Sequence, residues 1–193
     1  MISRIFVAGL LGAVAMFIWL TIAHMTVGTT GFQALPNESA VSAAIHAGTG
    51  DKPGFYLFPY EANAMSDKAA MARYAAKVKQ NGSGMVLYRP TTEDASMSPG
   101  QMIGEFIKEL VVCVVAAFLL AEAKLPRLWE RAGFVAAIGV VAALETNVSY
   151  RVWYGFPGDY TAAQIFMSFI SYVVAGFAIG WWLKPTTPKP LPA

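Results

Sequence analysis

The sequence predicts a membrane all-α fold: a four-helix transmembrane bundle, with a small α+β extracytoplasmic domain inserted between the first and second spans. Three observations predict it. The 193 residues are 56% hydrophobic and only 13% charged, with a mean hydropathy of +0.48; a soluble domain carries about 25% charged residues. Four apolar runs, 1–27, 99–123, 132–154 and 160–184, are each long enough at ~1.5 Å per residue to cross a hydrocarbon core of ~30 Å. Between the first two, residues 28–98 hold 12 of the 26 formal charges, six of each sign, and four prolines.

Residues 1–27 open with Arg4 and run apolar from Ile5 to Ala23. That run exceeds the ~7–15 residues of a secretory h-region, and no A-x-A-like site follows, so it reads as a retained signal anchor. In the insert, Asn37 is placed to cap a helix from Glu38 to Ala47. Phe55 to Phe58 reads as a strand closed by Pro59. Ser66 is placed to cap a second helix to Gln80, with Met71, Tyr74 and Val78 as its apolar stripe. Asn81-Gly82 ends that helix, and Met85 to Tyr88 is a second strand stopped by Pro90. Thr91 to Met97 reads as a polar loop. Some 70 residues make a marginal core on their own, so the insert is expected to lean on the membrane helices or a partner.

Ser98-Pro99 is a cap followed by a first-turn proline, which starts the second span, 99–123. A loop at 124–131 with Pro126 and Trp129 leads to the third span, 132–154. The linker 155–159 leads to the fourth span, and the proline-rich tail 185–193 reads as disordered. Arg4, Lys124, Arg127, Arg131, Lys184 and Lys189 fall on one side if there are four spans, against Arg151 alone in the short loop opposite. By the positive-inside rule both termini are cytoplasmic and residues 28–98 are outside, which in a bacterium is the periplasm.

Counting back from the basic ends gives depth. Glu145 lies roughly 21 Å above Arg131, Glu109 roughly 22 Å and Lys108 about 24 Å above Lys124, and Ser168 about 24 Å above Lys184. Gln164 and His24 come out near 30 Å by the same count. Glu105, Lys108, Glu109, Glu145, Asn147, His24 and Gln164 therefore form one polar layer to which all four spans contribute. Carboxylates at that depth belong inside the bundle or against water. Three readings follow: Lys108 paired with Glu145 or Glu105 to fix register, a proton- or cation-binding site, or an interface with another subunit. As a metal site, Glu105 and Glu109 at i and i+4 would join Glu145 and His24 as ligands, although no His-x-x-x-His or Glu-x-x-His pair is present.

Other residues narrow the field. Cys113 is the one cysteine, so there is no internal disulfide and no CxxC motif. His24 and His46 cannot both sit at membrane depth, which excludes a bis-histidine haem, and neither a phosphate loop nor a serine elbow occurs. His46 reads as a surface or core histidine rather than a ligand. Gly9, Gly12, Ala13, Gly176 and Gly180 allow close helix approach, within the chain or between copies. Trp153, Tyr154 and Phe156 form one aromatic girdle, and Trp129, Trp181 and Trp182 the other. Tyr150, Arg151 and Trp153 are candidates for a lipid headgroup or interface.

The strings LPNE (Leu35–Glu38), GFYLFP (Gly54–Pro59), GSGMVLYRP (Gly82–Pro90), MSPGQ (Met97–Gln101) and NVSYRVWYGFP (Asn147–Pro157) resemble a family of uncharacterised small bacterial inner-membrane proteins. Its members have four transmembrane helices and an extracytoplasmic insert. The resemblance implies that topology and a bacterial source, and carries no catalytic residue. The expected function is a non-catalytic accessory or assembly subunit of a larger membrane complex. Its partners would be membrane lipids and other membrane subunits or a second copy, with no cofactor and no nucleic acid. A small oligomeric, ion-coupled transporter using the carboxylate layer is the alternative, and a membrane-embedded metal site a further one.

Overall fold

The computed structural model describes residues 1–90 and 98–184; the Thr91–Met97 loop and the 185–193 tail lie outside the described residues. The elements in order are α1 (Ile2–Thr26), α2 (Glu38–Thr49), β1 (Gly54–Phe58), α3 (Lys68–Asn81), β2 (Gly84–Tyr88), α4 (Pro99–Ala123), α5 (Leu128–Tyr154) and α6 (Gly158–Trp182). Helices α1, α4, α5 and α6 belong to one compact unit, and α2, β1, α3 and β2 to another. Of the described helices, α1, α5 and α6 are long and apolar enough to cross a membrane. Helix α4 equals α1 in length, but Glu105, Lys108 and Glu109 dilute its apolar character.

In the helical unit, α1 packs between α4 and α6, α6 packs between α1 and α5, and α4 and α5 hardly touch. Lipid tails are as apolar as leucine, so such helices are held by close van der Waals fit rather than by hydrophobic expulsion. The glycines supply that fit. A Cβ on Gly9 would fall 2.7 Å from the Val114 backbone, one on Gly12 2.7 Å from the Ile179 side chain, and one on Gly176 2.9 Å from the Ala132 carbonyl. The small residues of α1 and α6 are thus consumed by packing inside the chain. Met16, Cys113, Val135, Met167 and Ile179 fill the space between. Trp19 Nε1 donates to the Met167 carbonyl at 3.0 Å and ties α1 to α6.

The outward faces are apolar. Phe6, Leu10, Val14, Ile18 and Ile22 recur every fourth residue of α1 and are all exposed, the reverse of a soluble amphipathic helix. At the end holding the α5–α6 turn, edge-to-face and stacked rings run from Tyr154 through Tyr150, Phe156 and Tyr160 to Phe32. Gly31, at φ +84°, lets the chain after α1 pass against the Tyr160 backbone.

Helix boundaries differ from the sequence reading in two places within this unit. Helix α5 begins at Leu128 rather than at 132, because Glu130 Oε2 accepts from the Arg127 amide at 3.1 Å and caps the first turn. Arg131 therefore lies inside the helix and is buried, not in a loop. Helix α6 begins at Gly158, where the Thr161 amide and hydroxyl both reach the Pro157 carbonyl at 2.9 Å.

In the other unit, Asn37 caps α2 by accepting from the Ala40 amide. Asp67, not Ser66, caps α3, accepting from the Ala69 amide at 2.9 Å; Ser66 instead turns its hydroxyl back to the Asn63 carbonyl. The covered face of α3 runs Ala70, Tyr74, Val78, while Met71 lies beside it and is exposed. Strands β1 and β2 pair antiparallel, with Phe55 opposite Leu87 and Leu57 opposite Met85. His46 Nδ1 meets Asp51 Oδ1 at 2.5 Å, and the Tyr88 hydroxyl donates to the same oxygen at 3.1 Å. That shared carboxylate fastens the end of α2 to β2. Partial burial and the neighbouring Asp51 charge raise the Tyr88 phenol above its ordinary pKa.

Candidate functional site

The site is built on the first turns of α4. Ser98 Oγ accepts from the Gln101 amide at 3.3 Å while Gln101 Oε1 accepts from the Ser98 amide at 2.8 Å. This capping box with Pro99 behind it fixes where the helix starts. Three turns on, Glu105, Lys108 and Glu109 share one face through their i, i+3 and i+4 spacing. Glu109 is only 2% exposed. Lys108 Nζ donates to Glu105 Oε1 at 2.8 Å and stands 2.9 Å from Glu109 Oε1. The second contact is off the angle of a hydrogen bond, so Glu109 Oε1 is buried with an ionic neighbour but no hydrogen-bond donor. Buried carboxylate oxygens are rarely left so.

These charges open onto a cavity of about 370 Å³ at the seam where α4 and α5 hardly touch. All four helices of the unit line it: His24 and Met16 from α1, Thr146 and Asn147 from α5, and Gln164, Ser168, Ser171 and Tyr172 from α6. His24 Nδ1 lies 2.8 Å from the Leu20 carbonyl. A carbonyl only accepts, so Nδ1 is the donor in this contact. Asn147 Nδ2 is spent on the Ala143 carbonyl at 2.8 Å, and Ser171 Oγ on the Ser168 carbonyl at 2.6 Å. Two carboxylates against one ammonium suit a proton or a small cation.

Six of the seven residues of the polar layer line this cavity: His24, Glu105, Lys108, Glu109, Asn147 and Gln164. Glu145 does not. It is exposed, on the arc of α5 shared with the exposed Val141 and Val148, and among the described residues no cation pairs with it. The partner of Lys108 is thus Glu105 and Glu109, not Glu145. Counting residues fixes height along a helix but not direction around it, so the count places Glu145 in the layer while the structure turns it outward. Nor do Glu105, Glu109, Glu145 and His24 form a ligand set: among the described residues no three His, Cys, Asp or Glu side chains gather closely enough to hold a metal ion.

The headgroup candidates divide. Tyr150 stacks on Phe156, and Arg151 Nη1 donates to the Phe156 carbonyl at 3.4 Å, so both serve the α5–α6 turn. Trp153 projects outward, 79% exposed. Sequence reasoning missed Ser171 and Tyr172. The signal was present: Gln164, Ser168 and Ser171 recur at i, i+4 and i+7 on an otherwise apolar helix.

Comparison with protein-family models, with curated proteins and with solved structures finds no match to this chain. The site's own geometry is therefore the ground for the function proposed below.

Proposed function

We propose that this is a four-span, ion-coupled membrane protein whose cavity takes a proton or small cation, with Glu109 as the accepting group. The observation that carries the reading is Glu109 itself: a carboxylate 2% exposed, held at 2.9 Å by the Lys108 ammonium and opening onto a polar cavity among apolar helices. Ionisable groups at membrane depth are expensive and mark ion and proton pathways. In this reading α4 is the fourth span. Ile103, Ile107, Val111, Val115 and Phe118 form an exposed apolar stripe along its length, while Glu105, Lys108 and Glu109 gather near its start and Glu122 lies near its end. Arg4, Lys124, Arg127, Arg131 and Lys184 then lie on the cytoplasmic side, and the unit of α2, β1, α3 and β2 is an extracytoplasmic insert.

The test is flux into liposomes reconstituted with the full chain and a trapped pH-sensitive dye, under an imposed proton gradient and then a sodium gradient. Wild-type protein dissipates at least one gradient, Glu109→Gln slows that at least tenfold, and Glu145→Gln leaves it unchanged. Gradients as stable with wild-type protein as in empty liposomes would overturn the reading.

A second reading, the accessory or assembly subunit, rests on the sheet. Phe55, Leu57 and Leu87 share one face and are all exposed, and Ala70 is the one buried hydrophobic residue among α2, β1, α3 and β2. Such a face is commonly covered by another protein. Purification in mild detergent would then recover stoichiometric partners or a homo-oligomer, and a monodisperse monomer with nothing bound would count against it.

A further inference from the structure

At the far end of α4 from Glu109, about 22 Å along the helix by its rise per residue, lies a second cavity with the opposite character. Its volume is about 450 Å³, and Arg4, Lys124, Arg131 and Lys184 line it together with Ile5, Leu120, Leu125 and Leu183. No acidic side chain lines it among the described residues. Four cations from the ends of α1, α4 and α6 and the start of α5 converge there because the three connections place those ends side by side.

Arg131 is the telling residue. It is 5% exposed, and among the described residues its Nε and Nη1 are buried without a hydrogen-bond partner. A guanidinium stays charged at any working pH, and burying its donors without acceptors is costly. The nearest carboxylate in sequence, Glu130, is already committed to the amide and guanidinium of Arg127. Arg4 is half used, Nη2 donating to the Lys184 carbonyl at 3.0 Å, which clasps the start of α1 to the end of α6. The donors that remain all favour an anion.

We propose that this cavity binds a phosphate group, held by Arg131 and flanked by Lys124, Lys184 and Arg4. Phosphate offers several acceptor oxygens and matches the planar fork of an arginine. The apolar walls beside the cations fit the upper acyl chains of an anionic lipid, and free phosphate is the other source of the same chemistry. No residue of the acidic cavity takes part, so the proposal stands or falls independently of ion flux.

Native mass spectrometry of the full chain in mild detergent tests it, with added phosphatidylglycerol, diacylglycerol of the same tails, or inorganic phosphate. Wild-type protein should hold phosphatidylglycerol at least tenfold more tightly than diacylglycerol. Each cation near an anionic surface is worth about 1 kcal/mol, or roughly fivefold, so Lys124→Gln with Lys184→Gln should weaken binding roughly 25-fold. Arg127→Gln, whose side chain is 81% exposed and outside the cavity, should stay within about twofold. Arg131→Met probes the buried donor directly; if that variant does not accumulate, the lysine pair carries the test. Inorganic phosphate that displaces the lipid from wild-type protein and fails to bind the lysine variant would uphold the phosphate site with the free ion as occupant. The proposal is overturned if phosphatidylglycerol and diacylglycerol bind alike and phosphate does not bind, or if Arg127→Gln weakens lipid binding as much as the lysine pair does.

Discussion

Lys108→Met is the sharpest perturbation of the acidic cavity, because it removes one ammonium that serves two carboxylates. Exposed ion pairs are worth about 0–1 kcal/mol, while stripping one partner from a buried pair costs about 3–5 kcal/mol. The pair here falls between these limits: the Lys108 side chain is 56% exposed and that of Glu109 2%. The poor angle of the Lys108–Glu109 contact pulls the value down and the second contact, to Glu105, pulls it up. We expect a loss of about 2 kcal/mol in equilibrium unfolding of the full chain in mixed micelles. Adding Glu109→Gln removes the orphaned charge and should recover roughly 1 kcal/mol, so the double variant is more stable than Lys108→Met alone. Lys108→Met with Glu145→Gln should instead be additive, since those side chains do not meet. A Lys108→Met/Glu109→Gln protein no more stable than Lys108→Met would show that the ammonium never held that carboxylate.

Two further outcomes follow from other parts of the chain. Lys77 Nζ and Arg73 Nε donate to Glu61 at 2.6 and 2.8 Å and hold its carboxyl below the ordinary value of 4.5, the Lys77 bond contributing most. A depressed carboxylate pKa stabilises the fold above the unfolded value, and that contribution vanishes as pH falls through the folded one. Amide exchange over α3 should therefore accelerate as pH drops below about 4.5 relative to its intrinsic rate, and Glu61→Gln should remove the acid-dependent step. Gly31→Ala puts a Cβ 2.7 Å from the Tyr160 amide nitrogen at φ +84°, joining backbone strain of ~1 kcal/mol or more to overpacking of ~1–3 kcal/mol. Its unfolding midpoint should fall well below that of Gly104→Ala, whose Cβ would meet nothing within 4 Å, and an unchanged midpoint for Gly31→Ala would discount the close approach to Tyr160.

What the residues disclosed in advance is unequal, for physical reasons. Helix starts with a side-chain cap were legible: Asn37 and Ser98 lie where they were expected because a short polar side chain before an apolar run has little else to do. Ser66 failed because Asp67, one residue later, competes for the same amides and wins with a charge. The start of α5 lies earlier than its apolar run suggests because Glu130 and Arg131 look like loop residues when read singly. Rise per residue sets Glu109 and Glu145 at similar heights on their helices but says nothing of which way each faces. Glu109 points inward and Glu145 outward at nearly the same depth, and the difference lies in their neighbours: Glu109 stands four residues from the buried Cys113, and Glu145 four from the exposed Val141.

Two buried charges, Glu109 and Arg131, stand near opposite ends of one helical unit, each beside a cavity. Neither is neutralised by the other: at ~22 Å along the helices they are far beyond contact, and α1 and α6 run between them as packed, glycine-fitted rods. If the two cavities act separately, Glu109→Gln and the Lys124/Lys184 double variant should add in stability and should not alter one another's ligand affinity. If instead filling the cationic cavity changed flux through the acidic one, the shared helices would have to move as bodies, because packed cores have few continuous deformations. Measuring flux with and without phosphatidylglycerol, in wild-type protein and in the lysine variant, distinguishes two independent sites from one coupled pair.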